Sequence, residues 1–354
     1  MSTKIMHVVL FVTLALTVTA PGNRLVAGNN PNTVAELALY RGADRQKILE
    51  EGAKKEGTLT FYSSSTVEVL NAAVAAFQKK YPFIKVDIWS ASSAPLISRA
   101  TEEFKSGNHT MDVMEGSQSN MFVLQKVGIV QPFISPNFAQ LEEEAMDYAP
   151  GGGAFAVAFR VSGIGFGYNT KLISMDQLPK SYHDLTDPKW KGKVAIAGSD
   201  TGVNWMSAIY RNYGIDLLKK IADQGFPVQM VSGQAMIGMV ISGEYAASPT
   251  IFDSNAYLVK QKGAPVGWAP LEPVRANIGQ IAIGKNSAHP HAALLFADFE
   301  ISKENAEIWK RGGCDNFRKD VPALGKRYKK YYGQDTVEAI REEHDLFQKL
   351  FLKK

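Results

Sequence analysis

Two apolar segments separated by an amphipathic helix occupy residues 59–89, and this alternation constrains the fold more than any other feature. Residues 59–62 are predicted to form a buried strand, and residues 84–89 alternate as the next strand. Between them, apolar residues recur at the spacing of one helical face, at Val67, Leu70, Val74, Phe77 and Tyr81. A strand–helix–strand unit of this length is the building block of a parallel sheet, so the sequence predicts an α/β fold.

Two long apolar segments, residues 154–166 and 275–283, are predicted to be strands that pass between two lobes. A chain of 354 residues is long enough for two such lobes. The first lobe is expected to comprise residues 45–158 and 277–354, and the second residues 159–276. Because the first lobe is split around the second, the two crossings create a cleft whose walls can close around a ligand.

The N-terminus has the organisation of a secretory signal peptide. Lys4 and His7 precede an apolar run from Val8 to Ala20, which is shorter than the ~20 residues of a membrane-spanning helix. Small residues at Ala20 and Ala27 offer alternative cleavage sites, so residues 1–27 are predicted to be removed. We therefore expect a protein exported to the periplasm.

Charge and cysteine content exclude several classes of function. The net charge is +4 with a pI near 8.8, and no basic stripe concentrates it, so nucleic acid is not an expected partner. Cys314 is the only cysteine, which rules out an internal disulfide. It is expected to be a small buried residue, and no Cys/His cluster indicates a zinc site.

Five segments occur in the order typical of one family of transport proteins: residues 57–63, 165–193, 232–246, 279–283 and 287–299. In these segments the chain resembles the solute-binding proteins of ABC importers, in particular the ferric-iron-binding group with the type II periplasmic-binding-protein fold. The resemblance implies two α/β lobes joined by two β crossings with a ligand cleft between them. It also implies a monomer that performs no catalysis, needs no cofactor and delivers its solute to an inner-membrane ABC permease.

The resemblance fails where the ferric-binding proteins hold their metal. Those proteins have two adjacent tyrosines shortly after the position of Gly243 and Glu244, whereas this chain has residues 247–253 without a tyrosine. We therefore expect a small organic anion as the solute, with Fe³⁺ as the alternative ligand. A secreted thiaminase-like enzyme with a cysteine nucleophile is a third reading, which the late position of Cys314 disfavours.

Two turns between a strand and a helix are candidate anion sites, because helix N-termini present free N–H groups and positive potential. The first contains Ser63, Ser64 and Ser65, and the second contains Ser199, Asp200 and Thr201. Each of these residues is equally well explained as a simple helix cap. Aromatic residues are candidates for the wall of an organic-ligand site, although each is also a normal core residue: Tyr62, Trp89, Trp205, Phe252 and Trp268.

Arg160 and Arg275 interrupt the two crossing segments, where an unpaired guanidinium would be costly to bury. Arginine suits bidentate recognition of a carboxylate or phosphonate, so both are candidate ligand contacts. The alternative is a salt bridge to an acid such as Glu272. Glu115 and Asp253 are candidate cation ligands, with solvated or capping roles as the alternative.

Overall fold

The structure, a computed structural model, describes residues 31, 33–65, 67–324, 328–333 and 336–352. The predicted signal peptide and Thr66 lie outside these residues. Within the described part of the chain, no helix has both the length and the apolar character needed to cross a membrane.

The described residues contain twelve strands, numbered β1 to β12 in chain order. Their bounds are Thr58–Ser63, Lys85–Ser90, Val113–Ser117, Val130–Gln131, Met146–Tyr148, Ala154–Asn169, Ile196–Ala197, Val228–Gln229, Ala247–Phe252, Val266–Ala269, Val274–Gly284 and Lys330–Tyr331.

Eleven α-helices, α1 to α11, occur in the same residues. Their bounds are Val34–Ala38, Arg45–Glu56, Val67–Lys80, Ser93–Lys105, Gln118–Lys126, Asp200–Ala222, Gly233–Ser242, Asp253–Gln261, Pro290–Glu300, Lys303–Arg311 and Val337–Phe347. Short 3₁₀ helices occupy Pro136–Gln140, Glu143–Ala145, Met175–Gln177, Tyr182–Thr186 and Pro188–Trp190, and a π-helical turn occupies Gln348–Leu352.

One large mixed sheet organises the molecule, with the central strand order β10-β6-β11-β3-β1-β2. The strands β1, β2 and β3 are parallel, so their carboxyl ends lie at one edge. The crossing strands β6 and β11 pair antiparallel to each other, and β11 also pairs antiparallel to β3. A separate parallel pair is formed by β7 and β8. The predicted α/β architecture with two β crossings is confirmed.

Local sequence signals explain how individual helices begin and end. Serine favours helix caps and glycine favours helix ends, so the sequence predicts a helix that begins at Ser232 and ends at Gly243. The hydroxyl of Ser232 accepts a hydrogen bond from the N–H of Ala235 at 3.2 Å, and this cap begins α7 as predicted. Gly243 ends the same helix with a left-handed φ of 82°, which glycine adopts without strain. The sequence also predicts separate helices over residues 203–213 and 215–223, and this is confirmed, because α6 consists of two helical segments divided by the non-helical residue Gly214, where φ is 81°.

The helix α3 differs from its predicted packing at its first turn. Val67 was expected on the buried face, but its exposed fraction is 53%, and it lies at the mouth of a cleft. The buried residues of α3 are instead Val69, Leu70, Ala73, Val74 and Phe77. The first turn is therefore directed away from the core that the rest of the helix covers.

Two large apolar clusters flank the crossing strands. The first extends from Leu37 to Val161 and from Ala276 to Phe317, and the second contains residues from Ile164 to Leu271. Phe347 and Phe351 pack in the second cluster, although we assigned the C-terminal segment to the first lobe. The division of the chain into two lobes remains a prediction.

Candidate functional site

Six junctions between a strand and a helix meet at one cleft of about 260 Å³. On one side, β1, β2 and β3 lead into α3, α4 and α5; on the other, β7, β8 and β9 precede α6, α7 and α8. Each of these helices is at least nine residues long. Clefts at the carboxyl ends of strands are common ligand sites in α/β proteins, and the N–H groups of a first helical turn have no partner within the helix.

The side chains that line this cleft are small and mostly neutral. Amide groups come from Asn204, Gln234, Asn255 and Asn277. Ten serines contribute hydroxyl groups: Ser64, Ser65, Ser90, Ser92, Ser93, Ser117, Ser162, Ser199, Ser232 and Ser254. In the described lining, Arg160 and Asp200 are the charged residues. The cleft is therefore rich in hydrogen-bond donors and almost free of fixed negative charge.

The structure places seven of the ten predicted site residues in the lining of this cleft: Ser64, Ser65, Arg160, Ser199, Asp200, Thr201 and Phe252. Capping and exposure to the cleft are compatible, since Ser199 accepts a hydrogen bond from the N–H of Thr201 at 3.4 Å. That these residues contact the solute remains a prediction.

Tyr62, Ser63 and Arg275 do not belong to the described lining. The hydroxyl of Tyr62 donates to the carboxylate of Glu103 at 2.8 Å, and burial followed by this carboxylate raises the pKa of the phenol. Arg275 donates from Nε and Nη2 to Oδ1 of Asn204 at 3.2 and 3.0 Å. Arg275 thus holds a residue that lines the cleft, and its partner there is Asn204 rather than the expected acid Glu272.

Arg160 forms an ion pair with Glu115, also instead of Glu272. Glu115 is fully buried and Arg160 is 6% exposed, so the alternative of a solvated Glu115 is wrong. Burial opposes the charge on Arg160, but Glu115 and the other acidic neighbours together outweigh burial and raise the pKa of the guanidinium. The guanidinium also lies over the ring of Trp309, 5.1 Å from its centroid.

A second buried carboxyl group lies in the same region. Glu300 is 1% exposed, and one of its oxygens accepts from the side-chain amide of Asn305 at 3.0 Å. Burial, and then the charge of Glu115, raise the pKa of Glu300 to about 8. Glu115, which pairs directly with Arg160, is therefore the side chain that balances the guanidinium, while Glu300 keeps its proton to a higher pH than an ordinary glutamate does.

Asp253, the other candidate cation ligand, does not line the cleft. It is buried at the first residue of α8, where it accepts hydrogen bonds from the N–H of Gly163 at 3.0 Å and the hydroxyl of Tyr328 at 2.6 Å. Among the described residues, no group of three or more His, Cys, Asp or Glu side chains is arranged to hold a metal ion.

Sequence reasoning missed part of the lining. Ser92 and Ser117 precede α4 and α5 as Ser199 precedes α6, so the same strand-to-helix signal could have found them. Trp309 and Cys314 also line the cleft, but they come from the distant segment after α9, and local patterns give no signal for that placement. Cys314 is buried as expected.

Comparisons with known proteins agree with this architecture. A family model described as bacterial extracellular solute-binding protein matches residues 110–339. An uncharacterized protein of Haemophilus influenzae is 27% identical over 282 residues, covering 73% of this chain and 78% of that protein.

Solved structures with a similar fold include the following two proteins. Iron-bound HitA from Pseudomonas aeruginosa has a TM-score of 0.69 at 21% identity, with 82% of this chain and 99% of that chain covered. The periplasmic binding protein AfuA from Actinobacillus pleuropneumoniae, with fructose-6-phosphate bound, has a TM-score of 0.70 at 22% identity, with 84% and 100% covered. At these identities the likeness shows the fold.

Proposed function

Since this chain belongs to the family of bacterial extracellular solute-binding proteins, we propose that it is the periplasmic receptor of an ABC importer for a small organic anion. It would act as a monomer that closes around its solute and delivers it to an inner-membrane permease. The observation that carries the proposal is the meeting of six helix N-termini at one serine-lined cleft. Together they supply positive potential and many hydrogen-bond donors without a matching number of lysines or arginines.

Phosphorylated polyols fit the chemistry of the lining best. A phosphate has three terminal oxygens and accepts more hydrogen bonds than a carboxylate, which suits a cleft with ten serines. The amides of Asn204, Asn255 and Asn277 match hydroxyl groups, and Phe252 offers a flat apolar surface. The fructose-6-phosphate bound to the fold relative AfuA supports this class of solute.

Ferric iron is the second candidate, because the fold relative HitA is iron-bound. Fe³⁺ favours several hard, anionic oxygen donors, such as phenolates and carboxylates. The described lining offers one carboxylate, that of Asp200, and no phenol. The donor set therefore favours an organic anion over the metal.

Cys314 lies in the cleft lining, which is the one observation in favour of the thiaminase-like enzyme. A cysteine nucleophile needs a neighbouring base, usually histidine, and the described lining contains no histidine. We expect Cys314→Ser to bind solute as well as the wild type does. If the wild type converted a solute to product and Cys314→Ser did not, this result would support the enzyme hypothesis instead.

A thermal-shift screen of protein that has been unfolded and refolded to remove carried-over solute tests the proposal. The panel contains phosphorylated sugars, phosphonates, small carboxylates, thiamine, and Fe³⁺ with and without citrate. A solute at 100 times its dissociation constant adds about 2.7 kcal/mol of stability, which raises Tm by a few degrees. A shift with an organic anion supports the proposal, whereas a shift with ferric ion alone would replace it.

A further inference from the structure

One carboxylate connects two walls of the cleft. Glu115 Oε2 accepts hydrogen bonds from the hydroxyl of Ser63 at 2.7 Å and from the N–H of Ser64 at 3.1 Å. Glu115 Oε1 pairs with Arg160 on β6. The turn after β1 and the guanidinium on β6 are thus held by the same buried side chain.

Two hydrogen-bond donors in the turn after β1 and on Arg160 have no partner in the protein. The N–H of Ser65 donates to the hydroxyl of Ser63 at 3.1 Å, which fixes the turn further. Ser65 Oγ and Arg160 Nε are buried and have no hydrogen-bond partner, although the two residues are only 8% and 6% exposed. Both residues line the cleft, and a buried donor without a partner is unfavourable. An oxyanion in the cleft would offer acceptors to such donors.

Charge balance assigns Glu115 the main electrostatic role. The titratable side chains with the largest electrostatic effect on Arg160 are those of Glu115, Cys314 and Glu300. Of these, Glu115 pairs directly with the guanidinium, so it is the side chain that compensates the charge of Arg160. Removing its charge would leave Arg160 buried without a counter-ion and free to change its orientation.

We propose that Glu115 is a positioning residue of the solute cleft, which orients the Ser63–Ser65 turn and Arg160 together without contacting the solute. This inference rests on the proposed function, because it takes the cleft to be the anion site. Glu115 would change the affinity for solute only by changing the orientation of Ser65 and Arg160. A residue that merely stabilised the lobe would affect stability alone.

The test compares Glu115→Gln with Asp298→Asn. Asp298 forms another buried ion pair, with Arg45 at 2.6 Å, and neither residue belongs to the cleft lining. We expect both variants to lower Tm, while affinity for the probes fructose 6-phosphate and inorganic phosphate falls at least tenfold in Glu115→Gln only. Equal affinity losses in the two variants, or none in Glu115→Gln, would overturn the inference.

A second readout needs no solute, because Cys314 is the only cysteine of the chain and lines the cleft near Arg160. In Glu115→Gln the uncompensated guanidinium stabilises the thiolate, so alkylation by iodoacetamide should be several-fold faster than in the wild type. Asp298→Asn should react at the wild-type rate. Equal rates in Glu115→Gln and the wild type would also refute the positioning role.

These two readouts separate the inference from the proposed function. If neither probe binds the wild type, the phosphate reading of the cleft fails, and the alkylation rates still decide the role of Glu115. If Glu115→Gln does not fold, Glu115→Asp takes its place, because aspartate keeps the negative charge on a side chain that is one methylene group shorter. The shorter carboxylate should keep the wild-type alkylation rate and weaken probe binding, and unchanged binding would contradict a positioning role.

Discussion

Arg160, which lines the cleft, forms an ion pair with Glu115, and Glu115 is fully buried while Arg160 is 6% exposed. Because of this ion pair, a substitution of Arg160 should affect the stability of the protein as well as its affinity for solute. We predict that Arg160→Ala weakens solute binding at least tenfold and also lowers the free energy of unfolding by about 3–5 kcal/mol, since Glu115 stays buried without a partner. Calorimetric binding and urea unfolding measure the two effects.

The double variant Arg160→Met/Glu115→Gln separates these effects. Without the buried charges it should recover most of the stability lost in Arg160→Ala, while solute binding stays weak. Recovery of binding together with stability would show that Arg160 contributes to the fold alone.

Ser65 gives a test with little structural cost, because its hydroxyl has no partner in the protein. We predict that Ser65→Ala weakens binding of the solute about tenfold, since a hydrogen bond to a charged group contributes about 1.5–3 kcal/mol. The Tm should stay near that of the wild type.

Ser302→Ala is the matched control for this change. Ser302 caps α10 by accepting from the N–H of Asn305 at 3.2 Å, and it does not belong to the cleft lining. Its loss should cost about 1 kcal/mol of stability and leave affinity unchanged. A Ser65→Ala variant that behaves like this control would remove Ser65 from the site.

Glu300 should give the protein a characteristic pH dependence. Its pKa of about 8 in the folded state lies above the ordinary value of 4.5, so the folded state retains a proton that the unfolded chain releases. Stability should therefore fall as pH rises from about 4.5 to about 8. Glu300→Gln removes this slope and should be more stable than the wild type at pH 8, by on the order of 4 kcal/mol.

Urea unfolding of both proteins at pH 5 and pH 8 measures the difference. The difference in free energy of unfolding between the wild type and Glu300→Gln should be small at pH 5 and large at pH 8. A constant gap would mean that Glu300 is ionised in the folded protein.

Gly202 lies in the first turn of α6, where a Cβ atom would collide with the carbonyl oxygen of Ala197. We predict that Gly202→Ala shifts this turn, lowers Tm and weakens solute binding several-fold. Gly238 in α7 has open space around the position of a Cβ, so Gly238→Ala should raise stability by about 0.5–1 kcal/mol without affecting the solute. Thermal melts with and without solute compare the pair, and equal affinities would show that α6 does not contribute N–H groups to the site.

Local sequence signals were sufficient for most of the fold. The spacing of apolar residues predicted the helix now bounded by Val67–Lys80, and Ser232 with Gly243 predicted both ends of Gly233–Ser242. These features depend on backbone geometry over a few residues, which neighbouring residues determine. The prediction that Val67 is buried was wrong, because the apolar face of the helix does not continue into its first turn, which lies at the cleft.

The candidate site was predicted only in part, because its chemistry depends on contacts between distant segments. The turns at Ser64 and Ser199 follow a strand and precede a helix, so they were found. The pairing of Glu115 with Arg160 joins residues 45 positions apart, and their strands are separated in the sheet by β11. The spacing of apolar residues along the sequence does not predict such a contact. It also does not predict that Trp309 lines the cleft.

The most direct test of the account is calorimetric titration of the stripped protein with phosphorylated polyols, their dephosphorylated counterparts and Fe³⁺. If the phosphate lies at the helix N-termini, at least one phosphorylated polyol should bind, and its dephosphorylated counterpart should bind at least 100-fold more weakly. Equal binding of the two forms, or binding of Fe³⁺ alone, would contradict the account.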